Sequence, residues 1–393
     1  MISNNKLIEI YNLAQKDSIK HSDQISRFWK KVLNRKIFKF EKDLINFRKN
    51  HVLSRGLDDA RSMNKLYLLE RLELFDQEFL KKNLPTKNVG NSNFSENFLG
   101  FYFDYGIIHH LKWFEEISKI IFKETKVVCE IGGGFGSLAR IILNNYETKY
   151  ILLDLPGSNL LSSFFLKEHY PNKKFYLYNN YLKDPLLKNL DNYDIFILPP
   201  WCKLEKSIKI DCFINTRSMM EMNKSIIKKY FDLIHTHISS NGFFLNINKY
   251  EYDLNDPRFD RKAGTSLDYI TKEALTLPAY RKSAEDRIYI HEYPYDNNWD
   301  VVISKPSFLQ WHIHFLLTQR KFENFNNNIK DELNKIKNIT FPKYRKGLLK
   351  KTLLYMIKWY FRKKIYNIVK KVLLLFFRNN LKKISKILYG MTD

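Results

Sequence analysis

Residues 127–143, VVCEIGGGFGSLARIIL, constrain this chain more than any other segment: an apolar strand ends in an acid, turns through glycines and enters a helix. Gly132, Gly134 and Gly136 form a G-x-G-x-G turn, where absent side chains let backbone N–H groups approach a ligand closely. Beyond it, Asp154 closes a second apolar strand in YILLDLP, the position at which a Rossmann-like fold holds an acid against ribose hydroxyls.

The surrounding sequence repeats this alternation. Apolar runs at 127–131, 150–154, 194–198, 211–215 and 242–247 read as strands, with helices predicted over 136–145, 157–169 and 223–240. The expected fold class is therefore α/β, a Rossmann-like sheet with helices on both faces. FYLY at 175–178 is one strand more than the simplest count needs, WDVVIS (299–304) is a closing strand, and FLQWHIHFLLTQRKF (308–322) reads as a helix. Before the sheet, KLIEIYNLAQ, ISRFWKKVL and KLYLLERLELF carry apolar residues at helical spacing, predicting a helical N-terminal unit over 1–95 that ends in the loop-forming LPTKNVGNSNFSEN. The α/β domain then covers 96–325, with a Tyr- and Asp-rich insertion at 251–299 as a possible substrate lid, and 326–393 form a tail.

Composition narrows the class. Forty-four per cent apolar residues in 393 suffice for a sizeable core, and three widely spaced cysteines, Cys129, Cys202 and Cys212, fit a reduced cytoplasmic setting rather than a disulfide scaffold. No signal peptide is visible, and no apolar run reaches the 18 or so residues of a membrane span. The net charge of +24 invites a nucleic-acid partner, but +14 of it lies after residue 340.

A dinucleotide site asks for glycine where this chain has Ser137. Glu130 before the glycines suits a cationic ligand instead. E-x-G-x-G-x-G followed by Asp154 resembles the first two motifs of S-adenosylmethionine-dependent methyltransferases. Further along, YDIFILPPW, IDCFINTRSMMEMNKSIIKKYFDLI, GFFLNINKYE and YPYDNNWDVVISKPSFLQWHIHFLLTQR, with NFRKNHVLSRGLDDA and GFYFDYGIIHHLKW upstream, resemble the bacterial sugar O-methyltransferases of surface-polysaccharide gene sets. The resemblance spans about residues 45–320. It implies S-adenosylmethionine as cofactor and a sugar or glycan hydroxyl as acceptor. Carried onto this chain, it sets Glu130, Gly132, Gly134 and Gly136 beside the methionine part and Asp154 at the ribose. Other cofactor-binding candidates are Trp201, a flat surface for adenine, and Asn215 at the end of a strand.

Methyl transfer to a hydroxyl needs alignment and a group to take the proton, and the candidates are Glu221, His109 and His110. No metal is expected: His312 and His314 lie two apart, which in a helix puts them on different faces. LPPW also resembles the base-stacking motif of nucleic-acid amino-methyltransferases, but Leu198 stands where that chemistry needs a polar acceptor. A nucleic-acid partner is therefore the lesser reading, beside a dehydrogenase and a non-catalytic membrane-associated protein. The tail, from Gly347 to Gly390, combines apolar residues at helical spacing with paired lysines, arginines, Trp359 and Tyr360. That pattern predicts a basic amphipathic helix on an anionic membrane surface, placing the enzyme peripherally on the inner face of the cell membrane.

Overall fold

The computed structural model describes residues 2–26, 29–30, 40–49, 65–93, 95–121, 125–250, 288–307, 310–323 and 328–338. Most of the 251–299 insertion and the tail beyond residue 338 lie outside the described residues, as does most of ISRFWKKVL.

Among the described residues, eight strands form the central sheet. They are β1 (Val127–Ile131), β2 (Lys149–Leu153), β3 (Phe175–Tyr176), β4 (Ile195–Leu198), β5 (Ile210–Thr216), β6 (Ile238–Lys249), β7 (Trp299–Ser307) and β8 (Gln310–Arg320). Their spatial order is β3-β4-β2-β1-β5-β6-β8-β7. The pairs from β3 to β6 are parallel, and β8 runs antiparallel to both neighbours. From β1 the chain builds outward through β2, then returns to start β5 on the other side of β1. The order thus reverses at β1/β5, and in an open α/β sheet ligands bind beyond the strand carboxyl ends at such a switch point. The expected Rossmann-like sheet is present.

Flanking helices are α1 (Asn4–Asp17), α2 (Tyr105–Ile121), α3 (Ser137–Asn145), α4 (Pro156–His169) and α5 (Lys224–His237). Helix α1 packs on α4, and α2 on α3. Their apolar stripes meet a sheet whose central strands are apolar at nearly every position because both faces are covered. Val128, Cys129, Ile131, Ile151, Leu152, Phe196, Phe213 and Ile214 are all at most 2% exposed. The core runs without a break from Leu7 in α1 to Ile336, so the N-terminal helices share it. A hairpin, Glu96–Phe98 with Phe101–Phe103, was not anticipated between them.

Two element assignments change. The segment read as a helix after residue 307 is β8, inserted between β6 and β7. Ile313, His314, Phe315, Leu316 and Leu317 are all buried, and a continuous apolar run carries no periodicity by which to tell strand from helix. FYLY divides into the two-residue edge strand β3 and a helical turn, Tyr178–Tyr181. In addition, α5 stops at His237, and β6 begins at Ile238, three residues before the expected helix end.

Candidate active site

The carboxyl ends of β1, β2, β4 and β5 carry nearly every residue nominated from sequence. At the end of β1, Gly132, Gly134 and Gly136 take φ values of 71°, 61° and 88°, the left-handed region that glycine enters without strain. Space also demands Gly132, because a Cβ there would lie 2.1 Å from Ser218 Oγ. The N–H groups of Gly132, Gly134 and Gly136 are spent within the protein, contrary to the expectation that they approach a ligand. Gly132 donates to Leu153 O (2.8 Å), Gly136 to Gly133 O (3.0 Å), and Gly134 to Asp154 Oδ2 (2.8 Å). The turn offers shape, a surface without side chains, rather than an array of donors.

Asp154 is half-buried at the mouth. Besides Gly134, the N–H of Leu155 donates to its Oδ1 at 2.6 Å, and its own carbonyl accepts from Asn159 Nδ2 at 2.8 Å. The Ser158 side chain is a third donor, and a carboxylate with about four acceptor sites keeps one more for a hydroxyl. Loss of hydration pushes its pKa up to about 6 against those hydrogen bonds, with the Glu221 charge adding to the rise. Glu130 lies beneath the turn rather than facing out: it is 1% exposed and accepts the Tyr150 hydroxyl at 2.7 Å. A Cβ on Gly133 would meet its Oε2 at 2.6 Å. Burial raises Glu130 to about 7, against the Tyr150 bond and with the Asp154 charge adding to the rise.

Asn215 is fully buried and committed within the protein. Its Nδ2 donates to Ile131 O (2.8 Å) and Ser218 Oγ (2.6 Å), and its Oδ1 accepts from Met219 N (3.1 Å) and Asn248 Nδ2 (2.8 Å). It builds the cradle and does not reach into it. The network continues from Asn248 to Asn246 (2.6 Å) and from Asn246 to the Tyr295 hydroxyl (3.0 Å), a chain of buried amides that the sequence reading passed over. Asn246 and Asn248 stand two apart on β6, the one available hint that both point to the same face.

Trp201 does not offer the open face expected of an adenine platform. It is 7% exposed, the His21 ring stacks on it (5.0 Å between centroids, 8° between planes), and its Nε1 donates to the Tyr178 hydroxyl at 3.2 Å. His109 is likewise enclosed, 1% exposed beside Tyr105 and Trp113, and burial holds it well below the usual imidazole range. His110 sits at the same end of α2, with Nδ1 buried and lacking a hydrogen-bond partner among the described residues; burial, then the Arg217 charge, drop it to about 3. Both imidazoles are neutral at pH 7. Glu221, in the helical turn Met219–Glu221 after β5, stands on the rim, and the indole Nε1 of Trp29 donates to its Oε2 at 2.9 Å.

His312 and His314 lie on β8 rather than on a helix, and the register of β8 against β7 shifts between Gln310 and His314. His314 is buried with Nε2 at 2.7 Å from Ser304 Oγ. Among the described residues no group of three or more His, Cys, Asp or Glu side chains is placed to hold a metal. Nor is any described helix long and apolar enough to cross a membrane.

Neither a protein-family model nor a curated protein matches the sequence. Among solved structures it is similar to the mitomycin 7-O-methyltransferase (16% identity, 51% of this chain and 50% of that one, TM-score 0.29). It is similar also to the pyocyanin biosynthetic protein PhzM (11%, 55% and 56%, TM-score 0.31). A third is the Haemonchus contortus phosphoethanolamine N-methyltransferase 1, solved with phosphoethanolamine and S-adenosylhomocysteine (13%, 61% and 48%, TM-score 0.33). The match thus spans about half the length of each of these proteins, and likeness at this level transfers no activity.

Proposed function

We propose that this chain is an S-adenosylmethionine-dependent methyltransferase acting on a sugar hydroxyl. The observation that carries the reading is the clasp of Gly134 N–H on Asp154 at the β1/β5 switch point. It sets a bare glycine turn and a carboxylate side by side at the sheet's carboxyl edge. The residues fit the cofactor at Asp154, which keeps an acceptor site for a ribose hydroxyl and whose ionised carboxyl favours a cationic ligand, whereas Glu130 supports the turn from beneath. When bound, the cofactor supplies an electrophilic methyl group on a sulfonium sulfur. The chain's own tasks are to orient the acceptor hydroxyl, exclude water and take its proton. Glu221 is the partly exposed carboxylate on that rim, His110 is a neutral imidazole at the start of α2, and His109 is enclosed.

The sugar acceptor and the surface-polysaccharide setting rest on the sequence blocks of the resemblance. Membrane attachment rests on the basic tail, which lies outside the described residues. Mass spectrometry of surface polysaccharide from cells with and without this protein tests the reading. A loss of 14 Da per repeat is expected, and identical masses would sink it. Vesicle co-sedimentation of the full chain against a form ending at residue 340 tests the tail, with salt-sensitive binding to anionic lipid lost on truncation.

A further inference from the structure

Four contacts fasten Asp17, His21, Asp23 and Trp29 along the carboxyl edge of the sheet. Tyr178 donates its hydroxyl to Asp17 Oδ2 at 2.9 Å, His21 stacks on Trp201 after β4, Asp23 pairs with Lys229 of α5, and Trp29 bonds Glu221 after β5. Since β2 and β1 lie between β4 and β5, these residues are tied down on both sides of the strand ends that carry Asp154 and the glycine turn. They belong to the N-terminal unit, Trp29 lying 192 residues from Glu221 in sequence.

From this juxtaposition we infer that Trp29 is a positioning residue for Glu221, so that the N-terminal segment completes the acceptor side of the site. The inference rests on the reading of Glu221 as the group that receives or anchors the acceptor hydroxyl. The backbone that carries the indole is tied to Ser26: Ser26 O accepts the Lys30 N–H at 2.9 Å, and the Ser26 hydroxyl lies 3.4 Å from the Trp29 backbone N–H. A donor fixed on one carboxylate oxygen sets the direction of the other. It also favours the ionised form of the acid, which a proton acceptor requires. Asp154 is the other titrating group on this rim, and its charge and that of Glu221 act on each other.

The test uses the full chain carrying Trp29→Phe, which keeps an aromatic ring but loses the donor, and Trp29→His, which keeps a ring N–H. Carboxyl carbon NMR, with Glu221→Gln to assign the resonance and Asp154→Asn to remove the neighbouring charge, reads the Glu221 titration directly. We expect Trp29→Phe to raise it by about one pH unit and Trp29→His to restore most of the difference. S-adenosylmethionine affinity should stay within about twofold. In complemented cells, Trp29→Phe should lower polysaccharide methylation to the level of Glu221→Gln, and the double variant should fall no further, because the two residues act as one unit.

An unmoved Glu221 titration in a folded Trp29→Phe protein overturns the inference, as does a double variant whose losses multiply. If Trp29→Phe does not fold, an elevated Glu221 titration in a folded Trp29→His protein overturns it equally. Wild-type polysaccharide without methyl groups defeats the sugar reading alone, since the titration involves no acceptor.

Discussion

Arg48 donates through its guanidinium to Asp104 at 2.5 Å, and both side chains are only 3% exposed. Asp104 also accepts the Ile107 N–H at 2.9 Å at the start of α2, while Arg48 lies over the Phe135 ring of the glycine turn at 5.0 Å. Three distant blocks, NFRK, FDYG and GGGFG, therefore meet at one buried ion pair. Breaking such a pair by removing one partner costs about 3 to 5 kcal/mol because the other charge stays buried. Arg48→Ala should lose that much in urea denaturation, and Arg48→Ala with Asp104→Ala should recover part of it. Additive losses would show that the two side chains do not depend on each other.

Asp154→Ala should weaken S-adenosylmethionine binding about tenfold to a hundredfold, from loss of hydrogen bonds to a charged acceptor worth about 1.5 to 3 kcal/mol. Calorimetry with this ligand and with NAD, expected to bind far more weakly, measures both. An unchanged Kd would remove Asp154 from the ribose.

The same carboxyl should give the affinity a pH dependence. Its pKa stands at about 6, and a cationic ligand prefers the ionised acid. Affinity should rise about tenfold between pH 5 and 7.5 and level off above, with proton uptake or release visible as buffer-dependent heat. The Asp154→Asn protein should show a flat profile; an equally steep one would assign the titration elsewhere.

Glu130 makes the converse prediction for stability. Burial raises its folded pKa to about 7, above an unfolded value near 4.3, so the folded chain holds the extra proton. The resulting stability is fully present below about pH 4 and is lost as pH rises through 7. Glu130→Gln, which can still accept the Tyr150 hydroxyl, should flatten that slope in urea titrations at pH 5 and 7.5. An unaltered slope would mean that another group causes it.

Gly132→Ala should destabilise the turn twice over, through its φ of 71° and through the 2.1 Å approach of Ser218 Oγ. Adding Ser218→Gly removes the collision but not the backbone strain. Because Ser218→Gly also removes the bonds of the Ser218 hydroxyl to Asn215 and Ile131 O, the cost of Gly132→Ala is compared between the two backgrounds. In thermal melts it should be smaller in the Ser218→Gly protein than in the wild type; no cost there would mean the strain is negligible, and an equal cost would mean the collision is.

Asn248→Ala strands the Met220 N–H, which its Oδ1 accepts at 3.0 Å, and the Asn246 oxygen, to which its Nδ2 donates at 2.6 Å, both buried. A cost of about 2 to 4 kcal/mol in denaturant unfolding follows from two unpaired polar groups. A loss below 1 kcal/mol would mean that water enters the network.

Local order fixed much of this. The strand, turn and helix around Gly132–Gly136, the strand ending at Asp154 and the alternation behind them were legible because each depends on residues within one or two turns of chain. The side of Glu130 on which the turn closes was not legible, because it depends on Tyr150 from the neighbouring strand. Trp201 reads as an exposed platform until His21 is brought onto it from 180 residues away. His314 reads as helical because a run buried on both faces has no period, and only pairing with β6 and β7 decides the strand. The Arg48–Asp104 pair, the amide chain through Asn215, Asn248 and Asn246, and the hold of Trp29 on Glu221 join groups far apart in sequence. A side chain's own neighbours say what it can donate or accept, but which partner it meets is settled only when packing of the whole core fixes the distance.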